Sequence, residues 1–463
     1  MIAQLAIEPW LIDSRQAQVR AAIALPDDEE IVMSRVVAAS QSRGQTTIAL
    51  GALTASLQAL LTALSIVGVE HNWDEQLQKL TVVGMGLDRF VAPTSAIDIR
   101  GELAVAGLLV GLSISRPCAV ELWVDAVVCD TLVPVLEPHH NIRVQELDPS
   151  NEAAGRSMVL EPRQLEGRPE GVCCRDFGLF SWVKQAVLLA GLRAGTPTIF
   201  EEDLATPDHL ERALLRSGAP IEGHGSGIIL HPPRDADALA PQVYEKIGSL
   251  GLVLPVVVAA LASPHGELVF RDVSVNPTRA HVVPLLRSLG LDVRAIPEGD
   301  RQGEPIGQIR LAWGKESAFS SRLPKDVTIS GETALRLGDG LLSFTVLAAS
   351  VAGNWHFSDY LPQGRGGDAR IKGRVFGLLR SAGAQVDETE SGFVVQGRSG
   401  ALNSVIVTSG GDPRLVLLAT ALALRANAPS QIDDVECLRQ CFGKWVGTLK
   451  AIGAKITVKY EQA

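Results

Sequence analysis

Among the residues able to do chemistry, a carboxylate at a helix start stands out first. Asp339, in "LGDGLLSFTVLAAS", immediately precedes an apolar stretch of helical length. A carboxylate there could accept a proton, or it could simply cap the helix. The six cysteines lack zinc spacing: Cys173 and Cys174 are adjacent, and Cys437 and Cys441 lie one helical turn apart. Buried free thiols are the expectation, with no metal site. His139 and His140 are neighbours whose side chains diverge, as expected of an exposed loop. The glycine-rich "GMG" (84–86) and "GHGSG" (223–227) lack dinucleotide spacing and read as β-turns. The sequence has no nucleophile-elbow, Walker or zinc-protease pattern.

The elements that must position such groups recur along the chain. Apolar helix end, glycine and short strand follow one another in "LLTALSIVGVEHN", "LLRSGAPIEG", "LLRSLGLDVRA", "LLRSAGAQVDE" and "LKAIGAKITVKY". Glycine there suits the left-handed residue that ends an α-helix. Gly218 and Gly290 are 72 residues apart and Gly383 and Gly453 are 70 apart. The 150 residues between Gly68 and Gly218 leave room for a sixth copy, with Asn141 at its helix exit. A second, uniformly apolar helix precedes the marked one in each copy. The unit is thus β-α-β-α-β-β, and three plus three copies suit two domains. Helices apolar on every side predict pseudo-threefold bundles enclosed by sheets.

The bulk composition narrows the function class. At 463 residues the chain is long for one core and suggests two domains. A formal charge of −10 argues against non-specific nucleic-acid binding. The longest apolar run, "LGLVLPVVVAALA", is short for a membrane span and contains Pro255, so a buried helix is expected. With no basic and apolar leader pattern at the amino end, the expectation is a cytoplasmic protein.

With these motifs in place, the chain resembles the enolpyruvyl transferase family. The resemblance is carried by "VNPTRAHVVPLLRSLGLDV" (275–293), "TPDHLERALLRSGAPI" (206–221) and "DDVECLRQCFGKWVGTLKAIGA" (433–454). Weaker matches lie at 25–48 and 410–424. The branch of 5-enolpyruvylshikimate-3-phosphate synthases fits better than the UDP-N-acetylglucosamine branch, chiefly through "DHLER". The implied fold is α/β: a two-lobed inside-out barrel of six βαβαββ repeats. One lobe would comprise 25–240, the other 1–24 plus 241–463, closing on a ligand about hinges near 22–26 and 238–248. Two of the shared segments read as structural. Asn276 or Thr278 would cap the following helix, and Asp208 and Glu211 would sit in a first turn favoured by the helix dipole.

The resemblance also implies site residues. Asp339 falls on the catalytic aspartate. In "GRGGDARIKGR", gapless counting places Asp368 on the catalytic glutamate, whereas a one-residue slip places Arg370 on the arginine that grips the carboxylate of phosphoenolpyruvate. Arg414, in "GGDPR", matches the second carboxylate-binding arginine, with Asp412 retained and Pro413 replacing a histidine. Ser181 keeps a substrate-binding position, while Phe180 and Trp182 replace its neighbours. The phosphate grip departs from the pattern: Glu29, Val105 and Gln440 stand at three cation positions, with Arg100 close to the second. "LTAS" (53–56) replaces paired aspartates. Substitutes for the lost cations would be Arg35, Arg43, Arg100, Lys184 or Lys444.

Three readings follow. The first is transfer of enolpyruvate from phosphoenolpyruvate to a small cyclic hydroxylated acceptor, shikimate 3-phosphate by default. The second is a divergent member that acts on a different carboxylated metabolite, since the phosphate residues go and the carboxylate residues stay. The third is a non-catalytic binding protein. Each implies a small-molecule carboxylated ligand, no organic cofactor, no nucleic acid and no membrane. Oligomeric state is not readable from the sequence.

Overall fold

The computed structural model describes residues 10–12, 18–114, 116–138, 140–151, 154–162, 168–176, 181–235, 238–314, 323–337, 340–359, 369–398, 400–438 and 445–458. The chain forms two compact units: residues 1–28, 247–299 and 305–463, and residues 29–246 with 300–304. Strands β1 (Trp10–Ile12) and β2 (Gln18–Ala24) come first, and both join sheets of the first unit.

The second unit then runs through three repeats. The first holds α1 (Glu29–Gln41), β3 (Arg43–Ala49), α2 (Ala55–Ile66), β4 (Glu70–Asp74) and β5 (Lys79–Met85). The second holds β6 (Ile97–Asp98), α3 (Leu103–Ser113), β7 (Val120–Val124), α4 (Ala126–Leu136), β8 (Ile142–Glu146) and β9 (Arg156–Leu160). The third holds β10 (Cys173–Asp176), α5 (Ser181–Gly191), β11 (Thr198–Glu202), α6 (His209–Ser217), β12 (Ile221–His224) and β13 (Gly227–Leu230). Strand β14 (Val243–Tyr244) returns to pair in parallel with β3 and supplies the first repeat's missing strand.

The first unit repeats the plan. Its elements are α7 (Val253–Ala260), β15 (His265–Ser274), α8 (Val282–Ser288), β16 (Asp292–Arg301) and β17 (Glu304–Trp313), with β2 as first strand beside β15. Next come β18 (Val327–Ile329), α9 (Gly331–Leu337), α10 (Leu341–Ala349), β19 (Gly353–Ser358), α11 (Ala369–Ser381), β20 (Gln385–Thr389) and β21 (Gly392–Gly397). The last repeat has β22 (Ile406–Thr408), α12 (Pro413–Ala423), β23 (Ser430–Asp433), α13 (Trp445–Ala451) and β24 (Ile456–Val458), and β1 closes its sheet. The result is six four-stranded sheets of one topology: a parallel pair, then two antiparallel neighbours. The α/β fold of six βαβαββ repeats is as expected.

The helix exits follow the glycine pattern. Gly68, Gly218, Gly290, Gly383 and Gly453 have φ of 97, 101, 88, 93 and 96°. A side chain there would be strained, because L-residues avoid the left-handed region. Asn141 does not take that role. Helix α4 ends earlier, with Glu137 still right-handed, and Asn141 is not among the positive-φ residues.

Each unit is built around the first helices of its repeats. All of Val105–Ser113 in α3 is buried, which explains a helix without a polar stripe. Fully burying each leucine or valine is worth about 1.5–3 kcal/mol. A Cβ on Gly107 would fall 2.4 Å from the Trp182 carbonyl oxygen, and one on Gly111 would fall 2.5 Å from that of Ala186. Since 107 faces 182 and 111 faces 186, α3 and α5 run parallel in close contact. In the first unit α7, α10 and α12 form the corresponding core. The run containing Pro255 is the buried helix expected, preceded by a short turn (250–252). Among the described residues, no helix is long and apolar enough to cross a membrane.

Candidate active site

The carboxyl ends of α1, α3 and α5 meet around two buried arginines. Arg193, just past α5, donates through Nη2 to the carbonyls of Gly111 (3.0 Å), Leu112 (2.8 Å) and Ile114 (2.8 Å). Arg116 donates to Leu112 O and Leu87 O at 2.8 and 2.7 Å. Both reach Gln41 Oε1, in the last turn of α1, at 3.4 Å. The negative ends of three helix dipoles thus receive two guanidiniums. Burial holds Arg116 down to about 10, and burial followed by repulsion from Arg116 pushes Arg193 well below the ordinary arginine range.

Because α3 and α5 run parallel, their amino ends also lie together, roughly 16 Å away along the axes. A helix amino end ordinarily welcomes an anion. Here the first turn of α1 already carries Glu29 and Glu30. The Glu29 carboxylate accepts the Thr54 hydroxyl, and Thr54 caps α2 by accepting the Leu57 N–H at 3.2 Å. Val105 is fully buried in α3, so that position belongs to the core. Ser181 opens α5, half-buried, and Trp182 is buried beside it. Phe180 lies outside the described residues.

The proposed substitute cations are engaged or distant. Arg35 donates to Glu245 O (2.8 Å) and Arg301 O (3.3 Å) and lies 4.5 Å from the centre of the Tyr244 ring. Arg43 is exposed at the start of β3, beyond the carboxyl end of α1. Arg100 grips Asp98 through Nε (2.8 Å) and Nη2 (2.5 Å) and donates to Ala154 O at 2.8 Å. Its hydrogen bond holds the Asp98 carboxyl below the usual range. Lys184 is 2% exposed and pairs with Glu211 (2.7 Å) and Glu202 (3.2 Å). Lys444 and Gln440 lie outside the described residues.

In the first unit, Asp412 caps α12 by accepting the Arg414 N–H at 2.9 Å. The Arg414 guanidinium lies bidentate on the same carboxylate, at 3.1 and 2.9 Å, and is 34% exposed. Gly410 and Gly411, with φ of 58 and 80°, shape the turn that presents them. Arg374 of α11 donates to Thr408 O at 2.8 Å, which ties α11 to this turn. Arg370 lies in the first turn of α11, and Asp368 immediately precedes that helix. The Arg370 side chain, Asp368 and Asp339 are outside the described residues; Asp339 stands two positions before α10. Of the expected residues, the structure therefore describes Arg414, Arg100 and Ser181 in full.

Reading the sequence missed the partners. Arg100 and Arg414 are each held by an aspartate two residues earlier, in "DIR" and "DPR", a repeated signal visible in the sequence. Glu211 sits in the first turn of α6, as expected, and turns inward to Lys184; Asp208, at the cap position, pairs with Arg212 at 2.8 Å. Other expectations need correction. Asn276 does not cap α8, which begins six residues later; its Oδ1 closes a local turn with Thr278 (3.0 Å). His140 is buried rather than exposed. Cys173 is exposed, whereas Cys129 is buried and held up to about 11 by that burial.

A family model described as EPSP synthase (3-phosphoshikimate 1-carboxyvinyltransferase) matches residues 181–449. The 3-phosphoshikimate 1-carboxyvinyltransferase of Geobacter sulfurreducens is 28% identical over 445 residues, covering 94% of this chain and 97% of that protein. The enzyme of the same name from Methylococcus capsulatus is 25% identical over 94% of this chain and 95% of its own length. Among solved structures, EPSP synthase from Acinetobacter baumannii superposes with a TM-score of 0.77 at 19% identity, over 98% of this chain and all of that one. The enolpyruvyl transferase NikO from Streptomyces tendae gives 0.72 at 15% identity, over 98% and 99% of the two chains. These structural likenesses speak for the fold. With the repeat construction they join a sequence match spanning more than half of the chain, which belongs to the EPSP synthase (3-phosphoshikimate 1-carboxyvinyltransferase) family.

Proposed function

We propose that this protein is an enolpyruvyl transferase that moves the carboxyvinyl group of phosphoenolpyruvate onto a hydroxyl of a small cyclic acceptor, with shikimate 3-phosphate as the first candidate. The single observation that carries this reading, beyond family membership, is the Asp412–Arg414 pair presented at the amino end of α12. An arginine presented there, partly exposed, suits a carboxylate, and Arg370 in the first turn of neighbouring α11 would be its companion.

The reaction needs two proton transfers around one carbon–oxygen bond. Asp339 takes the acceptor hydroxyl proton as its oxygen bonds to the central carbon of phosphoenolpyruvate, while Asp368 protonates the methylene carbon. Loss of phosphate then breaks the original carbon–oxygen bond, and removal of a methyl proton restores the double bond. Cys118, Cys129, Cys173 and Cys437 are free thiols, which supports a reducing, cytoplasmic compartment.

A second reading, a divergent member that has lost the phosphate grip and acts on or binds a different carboxylated metabolite, is favoured by the first turn of α1. Glu29 stands there, and Arg100 and Lys184 are committed elsewhere. Phosphate release from phosphoenolpyruvate with shikimate 3-phosphate decides between the two. Release establishes the first; no release and no binding of either ligand by folded protein, with a carboxylated compound that lacks a phosphate bound instead, favours the second. Binding of phosphoenolpyruvate with no turnover would leave a binding protein.

Two variants give expected values. Arg414→Ala should lower kcat/KM by about 10- to 100-fold, because a charge-assisted contact is worth about 1.5–3 kcal/mol. Steady-state kinetics with varied phosphoenolpyruvate measures it. Glu29→Lys should tighten phosphoenolpyruvate binding by roughly the same factor, since it replaces repulsion by a charge-assisted bond. Titration calorimetry reads this directly, and an unchanged dissociation constant would show that position 29 does not face the phosphate.

A further inference from the structure

Lys184 is buried, yet no step of the reaction calls on it. Its ammonium lies 2.7 Å from Glu211 Oε1, 3.2 Å from Glu202 Oε1 and 3.3 Å from the Thr206 carbonyl. Glu202 is held in turn, its Oε2 accepting the Thr206 N–H at 3.0 Å and the Thr206 hydroxyl at 2.7 Å. One side chain of α5 is thereby tied to the end of β11, to the loop after it and to α6. Burial alone would pull the ammonium down, but the two carboxylates outweigh it and the net direction is up, so it stays charged. Burial pushes the Glu211 carboxyl up, and its Oε2 has no hydrogen-bond partner.

The position of this cluster along α5 matters. Ser181 and Lys184 are three residues apart and share one face of the helix. On another side, the main chain of Trp182 lies against Gly107, where no side chain fits. The first turn of α5 is therefore fixed from two directions, by close approach to α3 and by the buried ion cluster. A buried cluster of charges costs desolvation and is an expensive way to hold a helix. What it supplies over an apolar contact is direction, because an ammonium between two carboxylates tolerates little rotation of the helix that carries it.

We propose that Lys184 is a positioning residue for the acceptor: through Glu202 and Glu211 it fixes the first turn of α5 and with it the Ser181 hydroxyl. The proposal rests on the reading of Ser181 as an acceptor contact.

Lys184→Met, similar in length and uncharged, tests it by two readouts. Hydrogen exchange is followed at Gln185 to Leu188, whose amides bond to carbonyls of the first turn. Exchange there should quicken about tenfold, while Leu108 to Leu112 in α3 keep their protection. In the same variant the acceptor KM should rise about tenfold, with kcat and the phosphoenolpyruvate KM within about twofold, as misplacement of one binding group predicts. Unchanged exchange overturns the clamp. Faster exchange with an unchanged acceptor KM, or equal loss for both substrates, overturns the link to the acceptor. If the unaltered protein turns over no acceptor, the proposed function has failed, and exchange alone then decides the clamp. Should Lys184→Met not fold, Glu211→Gln keeps the volume and one oxygen. It is expected to show the same pattern at about threefold, and no change in either readout would refute the proposal.

Discussion

Replacing Asp339 by alanine is expected to lower turnover of phosphoenolpyruvate with its acceptor by about 10²- to 10⁴-fold, the range of a lost general acid–base group. The residue stands two positions before α10, whose cap position is taken by Gly340 in right-handed conformation, with φ −58°. A carboxylate just ahead of a helix is favoured by the positive end of its dipole. The competing role is structural, since Asp also stabilises helix starts. Asparagine separates the two, being about as good a cap as aspartate but unable to serve as a base. If catalysis is the role, Asp339→Asn and Asp339→Ala lose the same activity and keep the unfolding midpoint of the parent. If capping is the role, Asp339→Asn keeps its activity and only Asp339→Ala loses stability, by about 0.5–2 kcal/mol. Phosphate release and urea unfolding on the same preparations decide between these outcomes.

The architecture was legible where a backbone conformation demands one residue type. The glycines with φ near 90–100° mark the helix exits because L-residues pay for that conformation, so their spacing betrayed the repeats. The uniformly apolar first helices were legible for a related reason, as enclosure leaves no polar face. Long-range charge pairing was not legible. Glu211 finds Lys184 and His209 finds Glu304, 27 and 95 residues apart in sequence, and local composition carries no signal for either. Read locally, the acids of "DHLER" suit a first turn; in the fold, packing decides, and each polar member turns to a specific partner. The candidate site divides the same way. Asp-x-Arg held Arg100 and Arg414 within reach of their own aspartates, and that pattern is local. The commitment of Lys184 depends on residues brought from β11 and α6, and the sequence lists it only as a cation.

The largest loss of stability is expected at Arg193, where Arg193→Leu should destabilise the unit formed by 29–246 by about 3–5 kcal/mol, as breaking a buried charged network does. Relief is the opposite expectation, because two guanidiniums sit close together and burial disfavours both. The carbonyls decide the sign. Without Arg193, Ile114 O and Gly111 O lose this donor, and Leu112 O keeps only Arg116. Each buried acceptor left unsatisfied costs about 1–3 kcal/mol, and three carbonyls lose this donor at once. Arg193→Lys should rescue little, since a single ammonium cannot reproduce a planar fork spread over three carbonyls and Gln41. Urea unfolding followed by a probe in this unit is the measurement, because the two units need not unfold together. A midpoint unchanged in Arg193→Leu would mean that the carbonyl ends of α1, α3 and α5 are satisfied without it. Arg425 would then become the informative comparison. It donates to Ala421 O and Val258 O at 2.9 and 2.5 Å, closing the carboxyl ends of α12 and α7 in the other unit with one arginine. Loss at Arg193 but not at Arg425 would place the requirement in the paired guanidiniums. Equal losses would place it in the convergence of helix ends that the threefold repeat imposes on both units.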